Sequence, residues 1–232
     1  MTEGRDIEDL DERELNELGN AYSARGMWDE AIDSYLRSLA MRKSSGDVRG
    51  QGIVLNNLGA TYYHQERVHE ALECYEASYE IAHTQGEELS ELIALMNLVF
   101  LHFEEGTLGE FLRRADEAGS LALALDRWEP MAKLKWLRGR LALRDPDRYQ
   151  EGLGYYAEAL AYASRDGEDE LQQMLSRVDG QARRLSTQGA RGLALVLYDY
   201  LQAFARDQGF SGSVLSHLTQ QREKILRRPS LP

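Results

Sequence analysis

Apolar residues recur along the chain three and four apart, and the whole pattern repeats every 40 residues. Leu18, Leu58 and Leu98 share one register, together with Tyr22 and Tyr62, Ala31 and Ala71, Tyr35 and Tyr75, and Glu30, Glu70 and Glu110. Leu-Gly followed by Tyr three residues on (Leu18-Gly19 to Tyr22, Leu58-Gly59 to Tyr62) marks one face of a first helix. Asp29-Glu30-Ala31 and His69-Glu70-Ala71, each followed four residues later by a tyrosine, mark the face of a second. Glycine and alanine at these positions let two antiparallel helices approach closely, and the tyrosines fill the space beside them. A third copy, Asn97-Leu98-Val99 to Ala122, keeps the register with Val99, His102, Phe111 and Ala115 where Gly, Tyr, Ala and Tyr stood, so its packing is expected to be rearranged.

This pattern resembles the tetratricopeptide repeat family in its long variant of about 40 residues, carried by Leu18, Gly19, Tyr22, Ala31 and Tyr35 and again by Leu58, Gly59, Tyr62, Ala71 and Tyr75. Beyond residue 125 the spacing drifts. Leu137, Leu141, Tyr149, Gly152, Tyr156 and Ala159 read as a fourth unit, with extra residues in the Asp145-Pro146-Asp147 turn. Val178, Ala182, Leu185, Gly189, Ala194 and Tyr198 read as a fifth, and Val214, Leu215, Leu218 and Ile225 as the buried side of a last, capping helix. The resemblance implies an all-α, right-handed superhelical solenoid of about five helix pairs. An acidic segment over 1–11, a single repeat domain over 12–211 and a capping helix with tail over 212–232 are expected.

The composition changes this picture little. The 43% hydrophobic content suits a globular core, and neither an apolar run of membrane length nor a signal-like N-terminus is present, so no membrane partner is expected. A lone cysteine, Cys74, fits a reducing, cytoplasmic setting. Residues 1–126 hold 26 acidic and 10 basic side chains, and residues 127–232 hold 13 and 17. The acidic half repels nucleic acid, which is therefore not expected as a partner. Glu73, Glu76 and Glu80 read as a solvated face. No phosphate-binding glycine loop, nucleophile elbow or paired-cysteine motif occurs, so neither catalysis nor a cofactor is expected. His64 and His102 lie on neighbouring first helices, and a metal there would need Glu104 or Glu105 as well; ordinary histidines are the simpler reading.

In the family resembled, first helices line the concave surface and ligands lie there. Projected onto this register, the partner-binding candidates are Asn16, Asn20, Asn56, Asn57, Tyr63, His64, Met96, Asn97, Phe100, Phe103, Lys135 and Trp136, with Ser23, Ile53, Ile93, Gly139, Asp179 and Arg183 along the same surface. An asparagine amide offers a donor and an acceptor, which suits the backbone of an extended peptide, although the same amides could instead tie neighbouring helices together. The repeats that clamp a chaperone's terminal carboxylate do so with cations, and Asn16, Ile93 and Asn97 stand in those places here, which disfavours such a ligand. The amide-and-apolar groove looks like the long repeats of light-chain motor adaptors, polarity scaffolds and bacterial signalling-peptide receptors. Asp47 to Gly59 also resembles repeats attached to bacterial signal-transduction ATPases and transcriptional regulators. A non-catalytic module holding a protein or peptide segment is expected. The alternative is a homo-oligomeric scaffold joined head to tail through the acidic and basic halves.

Overall fold

A computed structural model describes residues 10–227, and among them every regular element is helical. Residues 1–9 and 228–232, which hold most of the acidic segment and the end of the tail, lie outside the described residues. The chain divides into two compact units, Met1–Leu121 and Ala122–Pro232. The first is built of three helical hairpins: α1 (Glu12–Ser23) with α2 (Trp28–Ser45), α3 (Val48–His64) with α4 (Val68–Gln85), and α5 (Glu88–Glu104) with α6 (Leu108–Ala124).

The turns repeat as strictly as the helices. Positive φ occurs at residues 26, 66 and 106 between the helices of each hairpin, and at 46, 86 and 126 after them. Glycine supplies it at Gly26, Gly46, Gly86 and Gly106, whereas Glu66 (φ 62°) and Asp126 (φ 53°) carry the same conformation with a side chain. Left-handed backbone costs an L-residue roughly 1 kcal/mol or more. Glu66→Gly is therefore expected to stabilise the first unit by about 0.5–1 kcal/mol in urea unfolding, against glycine's own entropic loss. Unchanged or lower stability would mean that Glu66 contributes a compensating contact.

At the helix starts, Asp11 forms a capping box with Glu14, and Asp47 accepts from the Gly50 amide. Within each of the first two hairpins a buried serine pins the second helix to the first. Ser38 donates to the Glu12 carbonyl, and Ser78, 40 residues on, donates to the Gly52 carbonyl at 2.9 Å.

The close helix approach rests on glycine against tyrosine. A Cβ placed on Gly19 would fall 2.5 Å from the Tyr35 ring, and one on Gly59 would fall 2.9 Å from the Tyr75 ring. In the third hairpin the sizes are exchanged. Val99 and Ala115, 0% and 2% exposed, occupy the glycine and tyrosine positions, and Phe111 stands edge-on to Phe103 at 5.3 Å where alanine stood before. The exchange roughly conserves volume across the pair.

The second unit holds α7 (Trp128–Ala142), a 3₁₀ turn (Pro146–Arg148), α8 (Tyr149–Asp166), α9 (Glu168–Thr187), α10 (Arg191–Asp207) and α11 (Gly212–Arg227). The 3₁₀ turn takes up the extra residues at Asp145-Pro146-Asp147. Its core joins Tyr156, Leu160, Leu175 and Val178 to Leu197, Tyr198 and Leu201. Val214, Leu218 and Ile225 of α11 are buried on the same core, with Leu215 partly buried beside them. No helix among the described residues is long and apolar enough to cross a membrane.

Candidate functional site

The first unit brings together the asparagines of three successive first helices. Asn57 of α3 donates through Nδ2 to Asn16 Oδ1 at 3.1 Å and to Asn20 Oδ1 at 3.3 Å, both on α1. Asn97 of α5 donates to Asn56 Oδ1 on α3 at 2.8 Å, and the Tyr35 hydroxyl closes the set by donating to Asn20 Oδ1 at 2.7 Å. The amides therefore tie α1 to α3 and α3 to α5. Each tie consumes half of an amide. Among the described residues, Oδ1 of Asn57 and of Asn97 and Nδ2 of Asn56 have no hydrogen-bond partner.

Two cavities flank this ladder. One, about 160 Å³, lies among α3, α4 and α5 and is lined by Gly52, Ile53, Asn56, Asn57, Ile81 and Ile93, with the Arg49–Glu87 ion pair (3.0 Å) in its wall. Ile53 and Ile93 are 46% and 53% exposed, unusual for isoleucines 40 residues apart on equivalent faces. Gly52 lets Ile81 pack closely over it: a Cβ there would stand 3.0 Å from the Ile81 side chain. The other cavity, about 280 Å³, is lined by Ala60, Tyr63, His64, Tyr75, Asn97, Phe100 and Leu101. His64 is fixed by stacking on Trp28 of α2, ring centroids 4.9 Å apart, with Tyr63 edge-on to it at 6.2 Å.

The remaining candidates fall elsewhere. Phe103 is 4% exposed and packs against Phe111, so it belongs to the hairpin core and not to the groove. Its position follows from the size exchange, because Phe111 fills the alanine site and draws Phe103 inward. Met96 is half-buried on α5. Lys135 and Trp136 belong to the second unit: Lys135 pairs with Glu158 and lies over the Tyr155 ring, and Trp136 is partly buried against the core. Asp179 is buried and accepts from Tyr198 and His217, so it holds helices together and does not face a groove. Ile81, Arg49 and Glu87 line the first cavity without having been expected, Ile81 because it comes from a second helix.

Burial pushes the Cys74 thiol up to about 11, away from the thiolate a nucleophile needs. His102 is buried with Nδ1 2.8 Å from the Thr107 hydroxyl, and burial lowers its pKa. Among the described residues no group of three His, Cys, Asp or Glu side chains is placed to hold a metal ion. The arrangement offers apolar recesses beside unsatisfied amide groups.

Comparison with known proteins agrees with this architecture. Residues 14–84 match the tetratricopeptide repeat family. No curated protein matches the sequence. Among solved structures, the nearly identical TPR-like repeats of a kinesin light chain-like protein from Podosopora anserina superpose with a TM-score of 0.61 at 18% identity, covering 84% of this chain and 96% of that one. BtubC (BKLC) from P. vanneervenii gives 0.62 at 17% identity, covering 95% and 83%. A signal transduction ATPase with numerous domains from Pyrococcus horikoshii, which has a tetratricopeptide repeat sensor, gives 0.60 at 17% identity, covering 94% of this chain and 37% of that one. At these identities the likeness is one of fold.

Proposed function

With residues 14–84 forming tetratricopeptide repeats and the fold shared with other repeat proteins of that kind, we propose that the chain is a non-catalytic interaction module whose α1–α3–α5 face holds an extended segment of another protein. Tetratricopeptide repeats generally mediate protein–protein interaction, and the observation that carries the finer reading is the half-used amide ladder. Asn57 Oδ1 and Asn97 Oδ1 accept, Asn56 Nδ2 donates, and such groups pair with peptide backbone whatever its side chains are. The recess formed by Ile53, Ile93 and Ile81 takes an apolar side chain, and the aromatic recess beside Tyr63 and Phe100 takes a second. The buried single thiol accords with a reducing, cytoplasmic setting.

Panning a random peptide display library on the full chain tests this. Wild type is expected to enrich peptides with an apolar anchor, and Ile53→Glu with Ile93→Glu to lose them at least tenfold while keeping the melting temperature, because both side chains are already about half exposed. Enrichment that survives the double substitution would place binding on another face.

Self-assembly is a second reading, favoured by the charge division. The first 126 residues carry 26 acidic and 10 basic side chains and the rest carry 13 and 17, so head-to-tail association of copies would be electrostatically complementary. Light scattering at low and high salt decides it: a monomer at both, at micromolar concentration, rules it out.

A further inference from the structure

The asparagine ladder repeats with one rung replaced. In its first step Asn57 Nδ2 donates to Oδ1 of both Asn16 and Asn20, and Asn20 Oδ1 also accepts from the Tyr35 hydroxyl at 2.7 Å. Forty residues on, Asn97 corresponds to Asn57, Asn56 to Asn16 and Tyr75 to Tyr35. Asn97 keeps its bond to Asn56 at 2.8 Å, but the position that corresponds to Asn20 is Ala60, which has no oxygen to offer. Tyr75 still lays its ring over Gly59 as Tyr35 does over Gly19. The residue is 4% exposed, and its hydroxyl has no hydrogen-bond partner among the described residues.

Where the asparagine side chain would have stood there is a recess. Ala60 and Tyr75 line the cavity of about 280 Å³ together with Tyr63, His64, Asn97 and Phe100. The Tyr75 hydroxyl and the second N–H of Asn97 are thus donors without an acceptor among the described residues. Burial and the neighbouring Tyr63 phenol both push the Tyr75 phenol up, so it stays a donor. The lining holds no lysine or arginine, and the first 126 residues carry 26 acidic side chains against 10 basic. A carboxylate would enter with no counter-charge, whereas a carboxamide brings the same oxygen uncharged. That oxygen is the group Asn20 supplies in the first hairpin.

We propose that this recess is a glutamine-selective subsite, in which the side-chain carboxamide of a bound segment takes the place of the replaced asparagine and its oxygen accepts from the Tyr75 hydroxyl and from Asn97. The proposal rests on the reading of the first unit as a peptide-binding face and names one side chain that face selects. The methylenes of the glutamine lie against Tyr63 and Phe100, and the amide head reaches past them to Tyr75.

An NMR titration of the full chain with Nα-acetyl-glutamine N-methylamide tests the subsite, with the glutamate, norleucine and alanine analogues as comparison probes. The glutamine probe is expected to shift the amide resonances of Tyr63, Asn97 and Phe100 and to bind at least about fivefold more tightly than the other three. Tyr75→Phe should weaken it about fivefold and leave the melting temperature unchanged, because no made bond is lost. Tyr35→Phe, which loses one, should lower the melting temperature by about 2–4 °C. Ala60→Asn restores the rung: it should abolish glutamine binding and raise the melting temperature. A preference for glutamate would mean a carboxylate site, parity with norleucine an apolar recess, and parity with alanine capture of backbone alone. Each of these overturns the assignment, as does glutamine binding that survives both Tyr75→Phe and Ala60→Asn. A blocked amino acid needs no extended groove, so the two readings fail separately. Peptide enrichment that depends on Ile53 and Ile93, without glutamine binding, overturns the subsite and leaves the first-unit reading standing. Glutamine binding that Ala60→Asn removes, without peptide enrichment, supports the recess and overturns the groove.

Discussion

Gly59→Val is expected to destabilise the first unit by about 3 kcal/mol, and Tyr75→Ala by about 3–5 kcal/mol, yet the two together should cost roughly 2–3 kcal/mol less than their sum. The valine alone drives its Cβ to 2.9 Å from the Tyr75 ring, with the Cys74 Cβ at 3.2 Å behind it, and neither neighbour is the loose end of a flexible chain. The alanine alone empties the space of a ring that is 4% exposed. Combined, they reproduce the pair that the third hairpin already uses, Val99 with Ala115, both essentially buried. Urea unfolding of the full chain, followed by a signal from the first unit, measures the cycle. Strict additivity would mean that the third hairpin tolerates its exchanged pair because of Phe111 and Phe103, and not because the volumes compensate.

That exchange also marks where the sequence could be read directly. The 40-residue register and the glycine–tyrosine contacts were legible because close helix approach admits only small residues, and the constraint leaves the same letters at each repeat. The rearranged third hairpin was legible as a departure, but not its consequence: Phe103 goes into the core because Phe111 is large, and that depends on which way two rings turn. The asparagine ladder shows the same limit. Asn57 and Asn97 stood out by position, but whether their amides face a ligand or each other depends on pairs one residue off the repeat, Asn57 with Asn16 and Asn97 with Asn56, and the geometry satisfies half of each. Ile81 escaped because it reaches the cavity from a second helix, over a glycine whose small size is visible only against its neighbour. Register alone puts Asp179 along the groove; a buried carboxylate announces itself only through the donors that three-dimensional packing brings to it.

Asp179→Ala is accordingly expected to cost the second unit about 3 kcal/mol and to loosen α11 most. The carboxylate of α9 accepts from the Tyr198 hydroxyl of α10 through Oδ1 and from His217 Nε2 of α11 through Oδ2, each at 2.8 Å. It is thus the polar joint of three helices, set among the apolar contacts of Val214 and Leu218. Removing it leaves the tyrosine hydroxyl buried with no acceptor, which is costlier than never having had the bond. Tyr198→Phe, which removes one donor and leaves the His217 contact, should cost only about 1 kcal/mol. Asp179→Asn keeps one acceptor oxygen and should fall between the two. Hydrogen exchange gives the sharper test, because α11 is the last helix and is held besides by the Arg222–Asp199 pair and its apolar face. Its amides should exchange faster in Asp179→Ala by more than those of α8, which the carboxylate does not touch. Uniform acceleration across the unit would show the joint to be part of one cooperative core, whereas protection retained in α11 would show that Val214, Leu218 and Ile225 hold the capping helix without it.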